Sequence, residues 1–263
     1  MKKFFSNIKK YYKYAVRSAK AELKSEVSDS YLNWLWWIIE PFCFMLIYTF
    51  VFGVIFPNNT PYFASFVFIG LTAWDFFNRM ITGSVKLITN NRDLVTKVYI
   101  PKYILLLSKS FTYLFKMGIS LIITFGLMIF QHVPLSIHLL WFIPIIIVLY
   151  IISFGIGMIL MHFGVTLNDL GNLTNIALRM VFYLSGIFYN INEKLGSKNP
   201  KLCFFLLRVN PIAFCMNELR KTMLFAKAPS IEGLLFWLVI GLILCATGAH
   251  VIHKNENSYA KVI

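Results

Sequence analysis

Between two apolar runs, each long enough to cross a bilayer, lies the only long polar and basic interruption in the first half of the chain. It reads Thr89-Asn90-Asn91-Arg92-Asp93-Leu94-Val95-Thr96-Lys97-Val98-Tyr99-Ile100-Pro101-Lys102. A charged element of this kind has no place in hydrocarbon, so it must lie at an aqueous face, where a soluble partner can grip it. Pro101 fixes its own φ and pushes Ile100 away from helical angles, so a helix break is expected there.

Composition then sets the class. Of the 263 residues, 58% are hydrophobic and 14% charged, and phenylalanine occurs 26 times. The mean hydropathy is +0.69. Soluble domains are about 45–50% apolar, so the expected fold class is an all-α, polytopic integral membrane protein. Residues 1–33 are too long and too charged for the n-region of a cleaved leader, which leaves targeting to the first span. The formal charge of +14 does not point to nucleic acid, because Lys and Arg flank apolar runs, where they meet anionic headgroups.

Six transmembrane helices are expected, at about 34–56, 62–81, 103–130, 139–163, 173–189 and 234–252. Residues 1–33 carry eight Lys and Arg interleaved with aromatics, the pattern of a cytoplasmic interfacial amphipathic helix, and 253–263 form a short cytoplasmic tail. Trp34, Trp36 and Trp37 form a belt at the start of the first span, followed by the charge and kink of Glu40-Pro41. Asp75 and Arg79 share one face of the second span and neutralise each other; Lys116 in the third is placed to snorkel. Pro144, Gly155 and Gly157 are expected to loosen the fourth, and the fifth carries Arg179.

The basic segments 1–33 and 85–109 fall on one side and the uncharged turns 57–61 and 131–138 on the other, which puts both termini in the cytoplasm. Residues 190–230 would then face outward although they hold seven Lys and Arg. Their apolar patches, 202–207 and 211–216, are too short to span, so a re-entrant pair of short helices before the last span is expected. On charge alone, a five-span topology with this region inside stays open.

No G-x-x-x-x-G-K-[ST], G-x-S-x-G or H-E-x-x-H pattern occurs, and the eleven acidic residues form no cluster that would hold Mg²⁺. The expectation is a chain with no catalytic residue, no metal site and no cofactor of its own. That counts against a membrane-embedded polyprenyl-phosphate transferase. Cys43 and Cys245 read as small core residues, while Cys203 and Cys215 share one polar region and would pair if it faces an oxidising side. Trp37, Tyr48, Phe52, Trp74, Tyr183 and Phe188 are candidate channel aromatics. The C–H face of a sugar stacks on such rings, so an aromatic channel passes a glycan without gripping it. For most single positions, lipid-facing or packing filler is the competing reading.

Leu35-Trp36-Trp37-Ile38-Ile39-Glu40-Pro41, followed by Tyr48-Thr49-Phe50-Val51-Phe52-Gly53-Val54-Ile55-Phe56, resembles the first span of ABC-2 type permeases that export O-antigen and teichoic acid polysaccharides. Gly70, Trp74, Asn90, Leu94, Val98, Pro101, Leu105 and Leu107 fit that family's second span and cytoplasmic loop, and Asn210-Pro211 with Arg220 and Leu224 resembles its late N-P…R…L element. The turn after the fourth span often carries Arg-Asp in the family and is Asn168-Asp169 here, which puts a charge contact from that Arg in doubt.

The resemblance implies a half-transporter in a bacterial inner or plasma membrane. Two copies form the channel, and two separate ATPase subunits bind ATP and Mg²⁺. The substrate is a glycan on a polyprenyl-diphosphate lipid. The N-terminal helix and the basic loop would dock on the ATPase through Tyr11, Arg17, Arg92, Asp93, Leu94, Lys97 and Val98. Leu94 and Val98 are four apart and would share a face of a short helix as apolar anchors. In the re-entrant region, Arg208, Asn210, Pro211 and Arg220 would meet the lipid diphosphate or lipid phosphates. An ABC-2 permease for a drug or small lipid is the alternative on the same fold.

Overall fold

The computed structural model describes residues 2–28, 31–55, 60–191, 193, 199–256 and 258–259, and every regular element among them is helical. Part of the turn expected at 57–61 lies outside the described residues, as do Lys194 and Lys198 of the cationic region.

Helix α1 (Lys2–Ser28) is a single amphipathic rod whose Ala15 and Ala19 are buried. It lies along α6 (Tyr103–Phe130), and the paired positions climb together. Asn7 donates to the Tyr103 hydroxyl at 2.9 Å, Ser108 donates to the Ala15 carbonyl at 3.2 Å, Lys109 pairs with Glu22, and Lys116 reaches Glu26 at 2.7 Å. The two helices therefore run in the same direction. Lys116 does not snorkel alone; α1 supplies its carboxylate.

Helix α2 (Trp36–Phe50) contains Pro41 and continues into a π-helical turn over Val51–Ile55. Helix α3 (Phe63–Val85) is the most enclosed of the early helices, burying Phe66, Phe68, Phe76 and Met80 almost completely. Two short helices follow, α4 (Leu87–Asn90) and α5 (Arg92–Lys97). The chain then leaves the helix at Val98, whose backbone is extended, and regains helical angles at Lys102, leaving the break that Pro101 requires.

Helix α7 (Phe142–Thr166) runs unbroken through Gly155 and Gly157. These glycines do not loosen it. A Cβ on Gly155 would sit 2.7 Å from Leu244 Cβ, and Gly241 and Gly248 of α11 (Ile231–Lys254) would meet Ile151 and Met158 of α7 at 2.9 and 2.7 Å. Glycine faces let two backbones close on each other, the packing route open to helices that gain nothing from hydrophobicity inside lipid. A Cβ on Gly164 would lie 1.7 Å from the Val85 carbonyl oxygen, so α3 and α7 meet in the same way.

Helix α8 (Leu170–Leu184) ends in a turn at Ser185–Ile187, and α9 (Pro200–Val209) and α10 (Pro211–Met223) precede the last helix. At 10 and 13 residues, α9 and α10 measure about 15 and 20 Å, short of a hydrocarbon core of about 30 Å. No disulfide joins Cys203 to Cys215.

Four helical stretches are long and apolar enough to cross a membrane: Trp36–Gly53, Tyr103–Phe130, Ile137–Thr166 and Ile231–Lys254. The other two expected spans fall short on different grounds. Helix α8 has 15 residues, while α3 has the length but carries Asp75, Asn78 and Arg79 near its end.

Candidate functional site

A cavity of about 260 Å³ opens between α2, α3, α6 and α8. Tyr48, Trp74 and Phe182 line it, and they belong to an aromatic cluster that extends beyond the cavity to Phe188 and Phe52. Phe188 stacks on Phe52 with centroids 4.3 Å apart and planes at 9°, and lies 4.7 Å from Tyr48. Phe182 lies 5.6 Å from Phe188 and 5.2 Å from Trp74, joining the two ends of the cluster. Trp37 also lines the cavity and meets Phe115 edge-on at 5.3 Å. Four of the six expected aromatics thus share one cluster, and Trp37 borders it. Tyr183 meets Phe182 edge-on at 5.3 Å but does not line the cavity and is 71% exposed; the ring turned inward from α8 is its neighbour Phe182, which the sequence reading missed. The helical offset between adjacent residues is the signal that separates them. Thr72 faces the cavity with a buried hydroxyl that has no hydrogen-bond partner among the described residues.

One part of the cavity wall is charged. Arg79 Nε donates to both Asp75 oxygens at 2.9 and 2.7 Å, the intrahelical pair expected, and its Nη2 lies 3.8 Å from Glu40 of α2. Lys116 contributes from α6. These groups are partly exposed, so the Arg79–Glu40 contact serves to position α2 against α3 rather than to add much stability, while Lys116 is engaged by Glu26 of α1.

The basic loop presents Arg92, Asp93 and Lys97 to solvent, with Leu94 half-buried and Val95 buried. Val98 departs from expectation: α5 gives way to extended chain at this residue, so only Leu94 is anchored within the helix, and Val98 stands 48% exposed beyond it. Lys102 is 4% exposed, its Nζ is 3.5 Å from the Val95 carbonyl, and burial pushes its ammonium below the ordinary lysine range. Tyr11 of α1 packs on the core that includes Tyr103, and Asn7 of the same helix donates to the Tyr103 hydroxyl, which brings the N-terminal helix to the end of the loop; Arg17 is solvent-exposed. A third component was not foreseen. The C-terminal tail folds back, with Glu256 accepting from the Tyr99 hydroxyl at 3.5 Å and Tyr259 joined to His162 Nδ1 at 2.8 Å.

At the opposite end of the chain's order, Asn210 caps α10 by accepting from the Ile212 and Ala213 amides at 3.2 Å each, and Pro211 occupies the first turn, where no N–H is needed. Arg220 also departs from expectation. It is 5% exposed and lies 3.5 Å over the Phe66 ring. It donates to the carbonyls of Phe66, Gly186 and Ile187 at 3.1, 2.8 and 2.7 Å. Its fork is occupied by backbone, and Gly70 is what admits it, since a Cβ there would lie 2.4 Å from Nη2. Arg208 is the exposed cation of the group, over the rings of Phe204 and Phe236 at 5.5 and 4.9 Å. Glu218, 1% exposed, accepts from Lys221 at 2.7 Å and from the Ser230 amide at 2.8 Å, tying α10 to the start of α11.

Helices of spanning length, two of them closed on each other through glycine faces, define a multi-pass helical membrane protein. More narrowly, the chain belongs to the ABC-2 type transporter family, whose domain model matches residues 16–224. It is 25% identical over 244 residues to an O-antigen export system permease protein RfbA of Myxococcus xanthus, covering 92% of each chain. It is likewise 25% identical over 245 residues to an O-antigen export system permease protein RfbA of Klebsiella pneumoniae, again covering 92% of each.

Proposed function

We propose that this chain is the permease subunit of an ABC exporter that moves a polyprenyl-diphosphate-linked polysaccharide across the bacterial cytoplasmic membrane. Two copies form the channel, and two separate subunits hydrolyse ATP. In this reading α3 and α8 join the four apolar helices as six spans with both termini cytoplasmic. Helices α9 and α10 are the re-entrant pair on the outer side, where Arg208 meets lipid phosphates.

The observation that carries the reading is the aromatic cavity. Phe188, Phe182, Trp74, Tyr48 and Phe52 form a continuous cluster of rings, stacked at Phe52–Phe188 and edge-on at Phe182, and the Arg79–Asp75–Glu40 group lies beside it. Rings offer a sliding glycan contact that is favourable everywhere and tight nowhere, which suits passage of a repeating chain. The basic loop, α1 and the folded-back tail make a compact surface for the ATPase.

The test is export in a strain lacking this chain, restored by plasmid-borne variants. Trp74→Ala combined with Phe188→Ala is expected to leave lipid-linked glycan on the inner side, with the permease present in the membrane and its ATPase still bound. Full surface glycan with the double variant would overturn the assignment of the cavity as the glycan path.

A further inference from the structure

The cavity between α2, α3, α6 and α8 carries charges of both signs, but the way they pair leaves it short of cations. Asp75 and Glu40 supply two carboxylates, and Arg79 stands between them, 2.7 Å from the first and 3.8 Å from the second. Lys116, the other cation of the wall, is taken by Glu26, which reaches it from α1 at 2.7 Å and does not itself line the cavity. Three carboxylates thus answer two cations. We propose that this cavity is a subsite for uncharged sugar units and rejects sugars that carry a carboxylate. The inference rests on the glycan path proposed above and adds what that path selects.

Thr72 marks the cavity as a place for a ligand. It lines the cavity at 5% exposure, and its buried hydroxyl has no hydrogen-bond partner among the described residues. A secluded hydroxyl with nothing to bond costs free energy that a ligand hydroxyl recovers. Phe68 and Asp75, one and two turns away on the same stripe of α3, also line the cavity, so ring, hydroxyl and carboxylate follow one another along a single face.

A neutral sugar matches each of these groups. Its hydroxyls donate to the carboxylates, which are about half exposed and keep lone pairs to spare, and they donate to or accept from Thr72. Its C–H face rests on Trp74 and Phe182. The volume, about 260 Å³, is near the lower end of small-ligand sites, about 300 Å³, so the cavity suits single sugar units.

A uronic acid finds no such match. Its carboxylate would bring a fourth negative charge to two cations that are both already paired, and would give up water to do so. The same balance disfavours the diphosphate, so the lipid head is expected to pass outside the cavity, in the headgroup layer, with the sugars inside. On the topology proposed above, Glu40 lies near the cytoplasmic start of α2 and Asp75–Arg79 in the cytoplasmic half of α3. The selection therefore acts where the glycan enters.

Purified full-length permease in phosphatidylcholine nanodiscs tests the proposal by fluorescence anisotropy of end-labelled hexasaccharides. Two probes are neutral, of glucose and of mannose, and one is hexagalacturonate. Saturable binding of at least one neutral probe is expected, with hexagalacturonate weaker tenfold or more. Glu26→Gln frees Lys116 without altering the residues that line the cavity, so it should strengthen hexagalacturonate binding severalfold and leave the neutral probes unchanged. Thr72→Val keeps the side-chain shape and removes the orphaned hydroxyl. It should weaken the neutral probes severalfold without lowering the melting temperature. No saturable binding of either neutral probe would overturn the subsite, as would neutral binding that Thr72→Val leaves intact. Hexagalacturonate bound as tightly as the neutral probes, or unmoved by Glu26→Gln, would overturn the charge selection and leave the glycan path standing. Full surface glycan in the strain carrying Trp74→Ala with Phe188→Ala would instead remove the path on which the selection rests.

Discussion

Asn210 and Arg220, at the two ends of α10, hold the same turn. The Asn210 amide donates to Ser185 Oγ at 2.9 Å, and the Arg220 guanidinium donates to the carbonyls of Gly186 and Ile187, with Gly186 at φ +67°. The end of α8 and the whole of α10 are therefore one mechanical unit, pinned to α3 through the Phe66 carbonyl. Arg220→Lys keeps the charge but cannot reach three carbonyls in three directions. Each carbonyl left bare costs about 1–3 kcal/mol, so a clear drop in melting temperature in detergent is expected, with Arg208→Lys unchanged. Equal stability of the two variants would show that the clasp is not what Arg220 provides.

Gly164 tests the backbone contact between α3 and α7. Gly164→Ala places a methyl group against the Val85 carbonyl, which belongs to a rigid helix and cannot turn aside. Overpacking of this kind costs about 1–3 kcal/mol. Gly126→Ala is the matched control, because nothing lies within 4 Å of a Cβ there. The expected result is reduced melting temperature and yield for the first variant and wild-type values for the second.

The basic loop is expected to carry the motor contact. Leu94 is half-buried and Val98 is exposed, so replacing both with Asp leaves most of the permease core untouched. Pull-down with the cognate ATPase should fall at least tenfold while membrane levels stay normal. Retained ATPase would move the contact to α1 or the C-terminal tail.

Glu26 and Lys116 form an ion pair between α1 and α6. Lys116→Glu alone sets two carboxylates together, and Glu26→Lys in the same chain restores the pair in reverse. A coupling energy of about 1 kcal/mol is expected from the double-mutant cycle, reduced by salt because both groups are partly exposed. Additive single effects would mean that α1 is held on α6 by packing alone.

Periodicity and charge make helix positions legible here, because a run of apolar residues long enough to span has few other fates. The break at Pro101 and the Asp75–Arg79 pair follow from local rules, and each is present. What escaped is what depends on a partner distant in sequence. Glu40 joins Arg79 from another helix, Glu26 meets Lys116 ninety positions away, and Tyr259 meets His162 across 97. Arg220 shows the limit most clearly. An arginine in a cationic region reads as a surface group, and only the carbonyls of α3 and the turn after α8, brought together in space, mark it as an internal clasp.

The glycine seam between α7 and α11 also bears on how the protein is made. Helix α7 buries half of its most apolar stretch, more than any other of the four helices long and apolar enough to span, yet the surface that closes on Gly155 is supplied by α11, four described helices later in the chain. While the ribosome is still completing α11, α7 has an open backbone groove facing lipid. A chain terminated before Gly241 would insert its early helices and remain unsealed, exposing a groove that membrane quality-control proteases can reach.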